Sequence, residues 1–416
     1  MTVKKNKVFK TLGIDDIYIY FQPIIFIRNS LIIGLEALVR GINKGKLISP
    51  LILFKEANKK NICLEFDRLC RVRAFEEYNK IFNKYPEYML FLNFDSSAIS
   101  LGEKESKETF KIAESFNIPF QNVVIEIPET EIKKEKGFKC FIESCKEYGF
   151  LIALDDVGVK YSNIDRIFEI RPDILKLDQR LIKNTKIEYH KHKVVKSLVT
   201  LAKEIGILTL AEGIETKEEV LETMKLGLDF HQGFLFFEPQ PTEILCSNIS
   251  QNLEYLQKIL DPIMECFYIE IIEGLYRKKK LIADWKSFCK ALLKELSAEP
   301  KEHFEKILKK WIILKDEIEG AYVVDIEGNL VTDVILKDGV LKSKLSLFKP
   351  SIIGKNLSSH PYIYPIISGL FNSFVTEPYI SFATGNVVIT ISFLFSNFDE
   401  EYILCIDFKP SRHFLD

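Results

Sequence analysis

The chain has 416 residues, 47% of them apolar, enough to bury a substantial core in two domains or in one large α/β barrel with an appendage. Its 57 Lys and Arg nearly balance 59 Asp and Glu, which excludes a global field aimed at nucleic-acid polymers or an acidic membrane, and no apolar run reaches the ~18 residues of a spanning helix. Lys4-Lys5 is not followed by the apolar core of a signal peptide, and the eight cysteines show neither Cys-x-x-Cys nor zinc-like spacing to His, so the expectation is a cytoplasmic protein whose cysteines are small core residues.

Short apolar runs recur through roughly the first 240 residues, each followed by a longer stretch with helical spacing, the pattern of a (β/α)8 barrel. Strands are predicted at 17–27, 31–40, 89–94, 123–127, 151–155, 174–177, 208–212 and 231–236. Only Arg28-Asn29-Ser30 separates the first two, too short for a helical crossover, so they should form an antiparallel hairpin. Helices are predicted at 52–60, 64–82, 113–116, 138–148, 164–167, 194–205 and 217–226. In the sixth of these Val194, Leu198, Leu201 and Ile205 share one face. Gly149, Gly206 and Gly227 each follow a helix, where a left-handed cap favours glycine.

The fifth strand, Leu151-Ile-Ala-Leu-Asp-Asp156, runs four apolar residues into two adjacent carboxylates, a charge that a divalent metal commonly compensates. Other strand ends carry Glu36, Asn93, Glu126, Lys176, Asp178, Glu212, Glu215 and Gln232. Taken singly each has an ordinary role as a solvated acid, a cap or a snorkelling lysine. A barrel of this type collects its strand ends at one mouth, however, and so many acids in one cleft must hold cations or have raised pKa values. Hard oxygen ligands without His or Cys point to two Mg²⁺ or Mn²⁺ ions and to hydrolysis of a phosphodiester, with Lys176 placed to orient the water or neutralise the phosphorane.

Glu36-Ala37-Leu38-Val39-Arg40 resembles the motif that names the EAL family of cyclic di-GMP phosphodiesterases. Phe21-Gln22-Pro23-Ile24, Leu92-Asn93-Phe94, Ile125-Glu126-Ile127-Pro128-Glu129, Ala153-Leu154-Asp155-Asp156, Leu175-Lys176-Leu177-Asp178, Ala211-Glu212-Gly213-Ile214-Glu215-Thr216 and Gln232-Gly233-Phe234-Leu235-Phe236 follow in family order. The resemblance implies that Glu36, Asn93, Glu126 and Asp155 hold a first metal, and Asp155 with Asp156 a second. It implies that Lys176 and Glu212 manage the attacking water, that Gln22, Arg40, Asp178 and Gln232 bind the dinucleotide, and that Glu129 and Glu215 steady loops and ligands. The implied reaction opens cyclic di-GMP to linear pGpG. Two departures stand out. The loop after Asp156 reads Val157-Gly158-Val159-Lys160 where active members have aromatic-Gly-Thr/Ser-Gly, and Pro128 replaces a threonine. The alternative expectation is therefore a cyclic di-GMP receptor with weak or no hydrolysis.

Beyond residue 245 the pattern changes. A helical connector is predicted over 246–318, with Tyr255, Ile259, Met264, Phe267 and Ile271 on one face, interrupted near Pro262, and Phe304, Ile307, Trp311 and Leu314 on another. Arg277-Lys-Lys-Lys280 reads as a solvated face. Residues 319–416 read as a small α+β domain: a hairpin over 322–332 turning at Glu327-Gly-Asn329, then strands at 387–394 and 402–408. Thr376-Glu377-Pro378-Tyr379-Ile380-Ser381, Thr384-Gly385 and Thr390-Ile391-Ser392 resemble the PAS/Cache-like domain of YkuI-type EAL proteins, which implies a regulatory or dimerising role and a homodimer.

Overall fold

A computed structural model describes residues 8–129, 136–158, 164–185, 187–340 and 348–410, and the chain divides into two compact units, Met1–Ile269 and Glu270–Asp416. In the first unit β1 (Asp16–Phe26) and β2 (Leu31–Asn43) form the expected antiparallel hairpin, in which Gln22 lies opposite Glu36. There follow β3 (Lys46–Ile48), α1 (Pro50–Lys59), α2 (Cys63–Phe82), β4 (Met89–Asn93), α3 (Ser96–Ile99), α4 (Glu103–Ser115), β5 (Val123–Pro128), α5 (Lys136–Tyr148), β6 (Leu151–Val157), α6 (Ile164–Ile170), β7 (Ile174–Leu177), α7 (Gln179–Ile182), α8 (Tyr189–Glu204), β8 (Leu208–Ala211), α9 (Lys217–Leu226), β9 (Phe230–His231), β10 (Gln240–Pro241) and α10 (Thr242–Ser247). Strands β2, β4, β5, β6, β7, β8 and β9 run parallel in that order, and β9 closes on β1 through His231 and Ile25. The result is an eight-stranded α/β barrel with one antiparallel strand.

The barrel interior is built by strand periodicity. Ile24, Phe91, Val124, Ala153, Ile174, Leu210 and Phe230, one from every barrel strand except β2, meet in one apolar layer. The equivalent position on β2 is Gly34, where a Cβ would come within 2.6 Å of the Phe91 ring. Side chains two residues apart share a face. One repeat further toward the mouth therefore come Gln22, Glu36, Asn93, Glu126, Asp155, Lys176, Glu212 and Gln232. A dry plug thus forms the floor of the polar layer.

Local chemistry sets the helix ends. Thr216 and Glu219 form a reciprocal capping box at the start of α9, and Gly149, Gly206 and Gly227 take the expected left-handed conformation after α5, α8 and α9. Three expectations are corrected. On α8 the buried stripe is Val195, Val199 and Ala202, while Val194 is 61% exposed; the helix carries two apolar stripes one residue apart, and spacing alone cannot say which faces the sheet. Instead of 113–116, α4 begins at Glu103, because its inward face is Glu105, Ser106, Thr109 and Ala113 and lacks an apolar signature. The eighth strand is Phe230–His231 alone: the chain turns at Gly233, whose backbone approaches Ile214 so closely that a Cβ would lie 2.0 Å from its carbonyl oxygen.

The next helix, α11 (Ile249–Leu296), continues through Pro262 rather than breaking there. Burial of Leu256, Leu260 and Ile263 against the barrel core offsets the lost hydrogen bond, roughly 3 kcal/mol. These residues, rather than the exposed Tyr255, form the inner face. No helix among the described residues is long and apolar enough to cross a membrane.

In the second unit the end of α11 and α12 (Phe304–Ile312) cover one face of an antiparallel sheet made of β11 (Ile318–Asp325), β12 (Ile335–Leu336), β13 (Ser373–Val375), β14 (Tyr379–Ile380), β15 (Val387–Asn397) and β16 (Glu400–Phe408), with α13 (Tyr364–Ile367) between β12 and β13. The strand order is β12-β11-β16-β15-β13, with β14 paired to β15. Trp285 stacks on Phe408 at 4.6 Å on the helix side, and Leu314, placed on the α12 face by spacing, is exposed beyond its end. On the other face Tyr322, Tyr362 and Cys405 pack with Val324 and Ile403. This is the expected α+β unit, with the hairpin turning at Gly328.

Candidate active site

Lys176, at the end of β7, is buried at the centre of the mouth. Its Nζ lies 2.6 Å from Glu126 Oε1, 2.8 Å from Glu212 Oε1, 3.1 Å from Asp155 Oδ1 and 4.0 Å from Glu36 Oε1. Glu36 is oriented from both sides: Asn93 Nδ2 donates to Oε1 at 2.8 Å and Gln232 Nε2 donates to Oε2 at 2.7 Å. Gln232 also donates to Gln22 Oε1 at 3.2 Å, and Gln22 donates to the Phe237 carbonyl at 3.0 Å. Residues from all eight barrel strands or the positions just after them thereby meet in one network.

Asp156 joins this cluster by an irregularity. In a regular strand it would point away from Asp155, but the β6–β7 register shifts between Leu154 and Val157, and Asp156 adopts φ 58°. Aspartate tolerates the left-handed region better than most residues. Carboxylate oxygens of Asp155, Asp156 and Glu212 consequently lie within 4.8 Å of one another.

Five carboxylates share one ammonium, and their protonation reflects it. Burial works to depress the Lys176 ammonium, yet Asp155, Glu126, Glu212 and Glu36 hold it well above its ordinary value. Burial and the neighbouring Glu36 charge push Glu126 well up. Burial raises Glu212 to about 8 against the pull of Lys176, and burial with the Asp155 charge raises Asp156. Glu36 is lowered: burial opposes this, but Lys176 and the two amides outweigh it. Both carboxylate oxygens of Glu126 are buried, and Oε1 shares the Lys176 ammonium with three other carboxylates. Surplus acids crowded around one ammonium and an all-oxygen donor set fit hard divalent cations.

The remaining candidates lie around this centre. Asp178 caps α7, accepting from the Arg180 backbone and side chain at 2.8 Å each. Arg40, four residues beyond Glu36 on β2, is half-buried beside Tyr20 and donates to the Val39 carbonyl, outside the carboxylate cluster. Glu215 is also outside it, held by Gln179 Nε2 at 3.0 Å and Lys183 Nζ at 3.2 Å. Buried Glu129 accepts from the Gly158 backbone at 3.3 Å, tethering the start of the loop after β6. Pro128 pairs with Asp155. Val159 and Lys160 lie outside the described residues.

A cleft of about 330 Å³ opens beside Glu36 and Asn93, bordered by Phe54, Cys70 and Ala74 and by two charged residues that sequence reasoning missed, Asp67 and Arg71. Their signal was present: an acid and a base at i,i+4 on the stripe of α2 otherwise made of Phe66, Cys70, Ala74 and Tyr78.

A profile of the EAL domain family matches residues 5–239. The EAL-domain protein YkuI of Bacillus subtilis is 26% identical over 96% of this chain and 96% of its own length. Its crystal structure, in complex with cyclic di-GMP and calcium, superposes with a TM-score of 0.75 at 23% identity, covering 98% of this chain and 99% of that one. The cyclic di-GMP phosphodiesterase PdeA of Borreliella burgdorferi is 27% identical over 57% of this chain, which spans 36% of that protein's length. A standalone EAL protein of Vibrio cholerae with cyclic di-GMP bound matches at TM-score 0.50 and 30% identity, over 55% of this chain and 93% of that one.

Proposed function

The chain belongs to the EAL domain family, and from that premise we propose that it hydrolyses cyclic di-GMP to linear pGpG with two divalent metals, Mg²⁺ or Mn²⁺. The observation that carries this reading is the Asp155-Asp156 bulge set against Glu212, Glu126 and Lys176, which gathers surplus acids around one ammonium. Glu36, Asn93, Glu126 and Asp155 would hold one ion, and Asp155 and Asp156 the other; bound there, the ions make water acidic near neutral pH and neutralise phosphate charge. Glu212 takes the proton of the attacking water, and Lys176 orients that water by hydrogen bonding. Water adds to phosphorus, the bond from phosphorus to the 3′ oxygen breaks, and that oxygen takes a proton from solvent and leaves as a hydroxyl, opening the ring, while Glu212 returns its proton to solvent. Gln22, Arg40, Asp178 and Gln232 bind the dinucleotide, Arg40 offering paired donors to a phosphate or guanine edge. Glu129 and Glu215 steady the loops that carry Gly158 and Gln179. The chain works as a homodimer in which the C-terminal α+β unit regulates the barrel, a reading supported by its full-length likeness to YkuI.

A second reading, a receptor that binds cyclic di-GMP and turns it over weakly, is favoured by the Val157-Gly158-Val159-Lys160 loop, which lacks the hydroxyl and second glycine of active members. Incubation with cyclic di-GMP and Mg²⁺ or Mn²⁺, followed by chromatography for pGpG, separates the two. Product that disappears in Glu36→Gln supports hydrolysis. Binding without product supports the receptor, and recovery of turnover in Val159→Thr/Lys160→Gly would locate the defect in the loop.

A further inference from the structure

Outside the barrel wall, α2 and α4 carry an ion network that the proposed reaction does not use. Arg71 is 2% exposed and Glu105 is fully buried. Arg71 Nε donates to Asp67 Oδ2 at 3.0 Å, Nη1 donates to Thr109 Oγ1 at 2.7 Å, and Nη2 pairs with Glu105. Arg68 closes the other side of Glu105 through Nε at 3.1 Å. A buried pair of this kind seldom stabilises more than an apolar pair of similar volume would, so its retention asks for another explanation.

The network ends at the site. Asp67 Oδ1 accepts the backbone N–H of Asp95 at 3.3 Å, and the Arg71 guanidinium lies 4.4 Å from the centre of the Phe94 ring. Asp95 in turn caps α3 through Ser97 N at 2.9 Å. Phe94 and Asp95 directly follow Asn93, whose amide donates to Glu36 at 2.8 Å, and Asp67, Arg71, Glu36 and Asn93 border the same cleft. Asn93 is itself exposed and sits on the last residue of β4, and the ladder reaches one residue further, Phe94 N donating to the Glu126 carbonyl at 3.3 Å. Asp67 and Arg71 add a side-chain grip on Phe94 and Asp95 to that backbone bond and to the Phe141 ring packed against Phe94.

We infer that Arg71, braced by Glu105 and acting with Asp67, is a positioning residue for the first divalent cation: it holds the Phe94-Asp95 turn so that Asn93 and Glu36 keep one geometry. This rests on the assignment of Glu36 and Asn93 as cation ligands made above. The guanidinium is suited to the task because its planar fork serves three partners at once while its centre sits over an aromatic ring, a combination an ammonium does not offer.

The test is Mn²⁺ binding by calorimetry to the full chain, read beside the thermal midpoint in chelator. Arg71→Met/Glu105→Met removes opposite charges together and keeps the interior filled but takes its partner from Asp67, so the midpoint should fall by no more than about 10 °C and the chain should stay folded at about 25 °C. Mn²⁺ affinity at the tighter site should nonetheless fall about tenfold, the usual scale for residues that orient ligands. Arg71→Lys keeps charge and fold but loses the fork, and its affinity should fall on the order of threefold. Wild-type affinity in either folded variant overturns the inference. Glu36→Gln is the control for the underlying assignment: unchanged Mn²⁺ affinity there discards the ligand set itself, whereas lost affinity in Glu36→Gln with wild-type affinity in the Arg71 variants discards only the positioning role.

Discussion

Asp156 and Glu212 show how much of the site turns on individual residues. One left-handed backbone conformation brings a second carboxylate beside Asp155, and Glu212, directly after the next strand but one, faces both. Without a cation the burial of Glu212 raises it to about 8, so its carboxyl keeps a proton at neutral pH. A cation must displace that proton. Mn²⁺ affinity should therefore rise with pH up to about 8 and level above it, and calorimetry in buffers of different ionisation enthalpy should register proton release on binding. The cation-free chain follows the same linkage with opposite consequence. Its folded form binds a proton that the unfolded chain has lost between the ordinary carboxylate pKa and about 8, so this contribution to stability is complete below that range and vanishes as pH rises through it. Glu212→Gln should flatten both dependences; a slope unchanged in that variant would assign the proton elsewhere.

At the scale of elements, each barrel strand combines an apolar residue in the plug with a polar residue one repeat further on, and β2 is the exception that makes room. Gly34 leaves space for the Phe91 ring, with Met89 O only 3.0 Å from where a Cβ would stand. Gly34→Ala should overpack this layer and destabilise the chain by about 1–3 kcal/mol, visible as a lower midpoint in chemical denaturation with an unchanged slope. Because Asn93 lies two residues beyond Phe91, the same change should weaken Mn²⁺ binding as well. The helices divide differently. α9 and its Gly227 cap were legible from residues 217–227, since caps are local chemistry. The full length of α4 was not, because Glu105 and Thr109 face Arg71 across 34 and 38 positions of sequence, and a buried ionic face has no hydrophobic period.

At the scale of the molecule, the apolar clusters of the two units share no residue: the barrel cores draw on residues up to Phe267, and the sheet cores begin at Leu281. A fragment comprising Met1–Ile269 should therefore unfold cooperatively by itself and bind Mn²⁺ as the full chain does; a fragment without a sigmoidal transition would contradict that. The sequence by itself determined the alternation of strands and helices, the antiparallel entry at Arg28-Asn29-Ser30 and the polar residue at each strand end, because strand period, loop length and glycine caps are short-range properties. Only the tertiary structure decided which stripe of α8 is buried, that the strand after Phe230 stops at His231, and that Asp155 and Asp156 face the same mouth. Those outcomes depend on a neighbouring chain segment: the sheet beneath α8, the Ile214 carbonyl against Gly233, and the register of β7 beside β6. The identity of the polar residues was local information, and their convergence on Lys176 was set by closure of the ring.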